Sequence, residues 1–68
     1  MKSISGKRLC RLLEDNGWEL KRIKGSHYIY AKTGLPARIS VPVHGNEPLK
    51  MGLQRYLINV AKIDETEL

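Results

Sequence analysis

One of the chain's two histidines, His27, stands within six residues of three cations, Lys21, Arg22 and Lys24. Imidazole titrates near neutrality, so it can take a proton from a hydroxyl at ordinary pH. Fixed positive charges beside it can hold a phosphate and stabilise the charge that grows on its oxygens. Together these groups supply what cleavage of a ribose–phosphate chain requires without a metal: a base for the 2′-hydroxyl and a clamp for the phosphodiester. A plainer use competes with this one. A solitary strand histidine is more often a surface or hydrogen-bonded group, and clustered lysine and arginine more often a solvated strand edge. The residues by themselves leave a nucleic-acid-binding surface and an enzyme both open.

Other candidates carry less. His44 is read as holding the turn before the second helix; donating a proton to a leaving group is the alternative, if the fold brings it near His27. Ser26 adjoins His27, but successive strand residues point to opposite faces, so a Ser–His nucleophilic pair is poorly supported and Ser26 is at most auxiliary. The two histidines make no convincing metal pair, because no cysteine or carboxylate cluster has ligand spacing. No Gly-rich phosphate loop is present. Neither a metal nor a cofactor is expected. Cys10 is the only cysteine, which rules out a disulfide framework, and its leucine-rich helical surroundings favour a core role over a nucleophilic one.

The elements that must position His27 follow from periodicity. Leu9, Leu12 and Leu13 mark one face of a helix within residues 5–16, capped by Ser3 or Ser5 and ended by Gly17. Residues 18–24 and 26–32 then alternate with a period of two, interrupted at Gly25-Ser26, and Ala37 to Val43 form a third strand. Pro42 cannot donate to a ladder and belongs at an edge or strand end. A second helix follows, with Pro48 near its first turn and a buried face of Leu49, Leu53, Leu57 and Val60 with Tyr56. The acidic tail 64–68 is expected to fray.

This order, helix–three strands–helix, predicts a single α/β two-layer domain over residues 1–68. Its sheet is an antiparallel meander with both helices on one face, as in double-stranded-RNA-binding-like domains. Tyr28 and Tyr30 then belong under the helices, and His27, Ile29 and Ala31 on the open face. The reverse assignment would bury His27 and weaken any catalytic role.

Charge agrees with an open face meeting a polyanion. Residues 1–32 hold eight basic and three acidic side chains, whereas residues 33–68 hold four of each. Such a basic excess fits nucleic acid, although a merely soluble surface would also show it. Apolar runs are only a few residues long, so no membrane span is expected and the chain reads as cytoplasmic.

The run Lys24-Gly25-Ser26-His27-Tyr28-Ile29-Tyr30, then Val41-Pro42-Val43-His44-Gly45 and a second helix containing Gly52, resembles the HicA toxins of type II toxin–antitoxin systems. The resemblance runs from Ile4-Ser5-Gly6-Lys7 through Ile63. It implies a metal-independent endoribonuclease acting on mRNA, with His27 at the catalytic position and a HicB-like antitoxin that masks the active face. Arg22 and Lys24, and less so Lys21, are the expected phosphate contacts. Many relatives read Gly-Thr and then an apolar residue where this chain has Gly52-Leu53-Gln54, which questions the packing of helix two or RNA contacts near it. The rival expectations are a non-catalytic RNA-binding module and a partner-docking module using Ile29.

Overall fold

A computed structural model describes residues 1–68. The elements are α1 (Gly6–Asp15), β1 (Glu19–Lys24), β2 (His27–Ala31), β3 (Arg38–Pro42), α2 (Met51–Ala61) and a short 3-10 turn, Glu65–Glu67. The sheet is antiparallel in the order β1-β2-β3, so β2 lies in the middle. This is the helix–sheet–helix α+β arrangement that the periodicity predicts.

Ser5, not Ser3, caps α1: its Oγ accepts a hydrogen bond from the Arg8 amide at 3.0 Å. Asn16 caps the end of the helix and Gly17 follows it, with a φ of +88° that suits a residue without a Cβ. Gly6 is buried where α1 meets β3. A Cβ there would run into the Pro42 carbonyl oxygen, so the missing side chain lets the helix start lie directly on the strand end that pairs with His27.

α1 touches β1 and β3 while α2 touches β3, and the core forms beneath them. Leu9, Leu13, Trp18, Tyr30, Ile39, Val41, Leu57 and Ile58 are all almost inaccessible. Tyr30 also donates a hydrogen bond to Glu14 at 2.7 Å, tying β2 to α1. Burial and that bond push its phenol well above the usual tyrosine range. Cys10 is buried with its thiol raised by desolvation, which suits packing rather than nucleophilic attack.

Three details depart from expectation. Pro48 lies outside α2, which begins at Met51 after Lys50; Pro48 instead forms an isolated bridge with Ser5. Tyr56 is 62% exposed, and Gln54, Ile58 and Ala61 take the buried face with Leu57, while Leu53 and Val60 are only partly covered. The acidic tail is ordered into the 3-10 turn, capped by Asp64, and Asn16 Nδ2 donates to Glu67 Oε1 at 3.0 Å.

Candidate functional site

His27 opens β2 and is exposed, whereas Tyr30 on the opposite face is 1% exposed and Tyr28 is partly covered. The alternation that hides the tyrosines under the helices therefore turns His27 outward. β3 obeys the same rule: Ile39 and Val41 are buried, while Arg38 and Ser40 are exposed. Cross-strand pairs share a face. His27 stands opposite Pro42 on one side and Lys24 on the other; Ile29 stands between Ser40 and Arg22; Ala31 stands between Arg38 and Glu19. Lys24 is thus the cation directly across from the imidazole, and Arg22 is one pair further along.

A bulge makes this arrangement possible. Leu20 pairs with Tyr30 and Arg22 with Ile29, leaving Lys21 as an extra residue in β1. Strict alternation from Leu20 would send Arg22 and Lys24 to the helix side. The inserted residue shifts the phase and re-aims both to the His27 face. The signal was present in the sequence: the apolar residues step by two from Trp18 to Leu20, then by three from Leu20 to Ile23.

Ser40 Oγ lies 3.3 Å from His27 Nδ1, and the direction of donation follows the imidazole tautomer. Ser40 reaches diagonally from its position opposite Ile29. Neither Ser40 nor Arg38 was found from the sequence, although the Ile39/Val41 alternation in β3 already assigns both to the open face. Lys21, Arg22, Ile29 and Arg38 line a shallow depression on this side. The only ion pair is Lys21 to Glu19 at 3.1 Å, which leaves Arg22, Lys24 and Arg38 without an internal carboxylate.

The auxiliary residues sit differently. Ser26 is in the β1–β2 turn, where its carbonyl accepts from the Val43 amide at 2.8 Å and closes the end of the β2–β3 ladder. Its hydroxyl makes no hydrogen bond with His27. His44 is exposed beyond β3, and its carbonyl accepts from the Glu47 amide at 3.0 Å, holding the turn ahead of α2. It lines a separate groove with Pro42, Glu47 and Lys50, and no hydrogen bond links it to His27. No three His, Cys, Asp or Glu side chains converge as a metal-binding group. No helix is long and apolar enough to cross a membrane.

Comparison with curated proteins finds no match. A family model described as HicA toxin of bacterial toxin-antitoxin matches residues 6–63, a span that runs from the first residue of α1 to just past the end of α2. The chain therefore belongs to the HicA toxin family and is a toxin of a toxin–antitoxin system, which implies an antitoxin as its partner.

Proposed function

We propose that the chain is a metal-independent endoribonuclease that cleaves single-stranded regions of mRNA, with His27 as general base and a HicB-type antitoxin covering the open face. One observation carries the reading: an exposed imidazole on the uncovered side of the sheet, with Lys24 directly across the ladder and Arg22 next along. The reaction is a transesterification. With Nδ1–H donating to Ser40 Oγ, the solvent-facing Nε2 is free to accept the proton of a ribose 2′-hydroxyl. The 2′-oxygen then bonds to the adjacent phosphorus, the bond to the 5′-oxygen breaks, and that oxygen takes a proton from water. The products are a 2′,3′-cyclic phosphate and a 5′-hydroxyl end. Lys24 and Arg22, with Lys21 in a lesser part, neutralise the phosphate as charge develops.

General base catalysis contributes about 10²–10⁴-fold, so one histidine makes a modest enzyme whose toxicity comes from slow cleavage of many messages. Replacing His27 tests the assignment. In a cleavage assay with purified protein, His27→Ala is expected to lose about 10²–10⁴ in kcat while keeping the wild-type fold by circular dichroism. Equal cleavage by both proteins removes His27 from the mechanism. RNA binding without products from the wild type would make the chain a binding module.

A further inference from the structure

The open face carries more cationic groups than one phosphate needs, and they are set apart along the sheet. Lys24 faces His27, but Arg38 pairs with Ala31 at the far end of β2. Four residues of strand separate those levels, about 13 Å at the usual rise. A phosphate positioned for His27 is out of reach of Arg38, and one nucleotide cannot span the interval.

We propose that Arg38 forms a second phosphate site, with Arg22 lying between it and the phosphate at His27 and able to contact both; the site holds a further linkage of the same RNA strand and makes the enzyme favour substrates longer than a dinucleotide. The proposal rests on the ribonuclease reading of His27 and concerns what else of the substrate is bound.

Three observations carry it. Arg22 and Arg38 come from the two strands that flank β2 and line one depression, with Ile29 between them. A guanidinium fork matches the oxygens of a phosphodiester, and two forks approaching from opposite sides can share one phosphate. Lys21 also lines the depression but is engaged by Glu19, whereas neither arginine has a carboxylate partner. The depression lies on the same side of the central strand as His27, so a chain lying along β2 with one linkage at His27 carries its next ones towards Arg22 and Arg38. Ile29 gives that path an apolar floor without hydrogen-bonding groups, so the site does not select a base. An acidic protein segment would meet the same charges, but alignment with His27 favours the nucleic acid.

A length series of oligoribonucleotides, from dinucleoside monophosphate to hexamer, tests the site with wild type, Arg38→Gln and His27→Ala. The wild type is expected to gain about tenfold in kcat/KM as the chain lengthens beyond the dinucleotide, the equivalent of one charge-assisted contact. Arg38→Gln is expected to lose that gain through a higher KM on the hexamer. The salt dependence of hexamer binding should also fall, by about 0.7 in the log–log slope for one lost contact to single-stranded RNA. Rates independent of length, or an Arg38→Gln protein with the wild-type length dependence, overturn the second site. So does a variant impaired only in binding the antitoxin. Failure of the underlying reading looks different: His27→Ala would then cleave the hexamer as the wild type does.

Discussion

His27 has one side-chain partner, Ser40, and that contact determines which nitrogen can act. A histidine serving as base through Nε2 needs its proton on Nδ1, and an acceptor at Nδ1 favours that tautomer and fixes the ring's rotation. Ser40 Oγ is at 3.3 Å, an exposed contact near the long end of the hydrogen-bond range. Its influence should match one such bond, about 1 kcal/mol. Ser40→Ala is therefore expected to lower kcat about fivefold with little change in KM, and Ser40→Thr, which keeps the hydroxyl, to restore it. Nitrogen NMR of the imidazole gives a readout independent of turnover: the alanine variant should show a smaller fraction of the Nδ1–H tautomer. An alanine variant with wild-type kcat and tautomer ratio would leave Ser40 as a bystander. Ser26, although adjacent in sequence, has no such part, because its contribution is a backbone bond to Val43.

At the scale of elements, the site depends on the phase of β1. Lys21 is the one residue of that strand without a partner in β2, so removing it turns an interrupted ladder into a regular one without moving Arg22, Ile23 or Lys24 to the other face. Deleting Lys21 is accordingly expected to change stability by no more than about 1 kcal/mol, since only an exposed ion pair and a local distortion are lost. Deleting Ile23 should cost more, because it regularises the ladder only by setting Lys21 opposite Ile29 and turning Arg22 to the helix side opposite Tyr28. Thermal melts of the two single-residue deletions compare them directly, and equal losses would mean that the bulge itself is required. This device also marks the limit of what periodicity conveys. Leu9, Leu12 and Leu13 announced α1, and Tyr28 and Tyr30 turned His27 outward, because each pattern keeps one period throughout. In β1 the period slips within six residues, so its pairing with β2 was expected but the phase that brings both Arg22 and Lys24 to His27 was not. α2 departs in part from its sequence stripe for a different reason. Tyr56 fits the helical stripe, yet Ile58, Ala61 and Gln54 take the contact, because the face a helix buries is decided by what it packs on.

At the scale of the whole molecule, chain closure comes from polar bonds that no local pattern reveals. The N-terminal segment joins the region around α2 through the Leu49 amide, which donates to the Ile4 carbonyl at 2.8 Å, and through Gln54. Gln54 is fully buried: its Oε1 accepts from the Ile4 amide at 3.0 Å and its Nε2 donates to the Lys2 carbonyl at 2.6 Å. Gln54 thus supplies a tie across about fifty residues of sequence. Because Ser5 caps α1 and Gly6 lets it lie on Pro42, whatever holds Ile4 also helps hold the strand end opposite His27. Gln54→Met keeps much of the side chain's length and volume but removes both polar atoms. The buried Ile4 amide is then unsatisfied, at a cost of about 1–3 kcal/mol. Each kcal/mol lowers Tm by roughly 4–8 °C in a domain this small, so a fall of at least several degrees is expected. Amide exchange at Ile4 should accelerate more than at Tyr30, since the damage begins at the N-terminal segment and not in the sheet. A Gln54→Met protein with unchanged Tm and Ile4 protection would mean that apolar packing of Ile4 and the Leu49 bond close the fold without the amide.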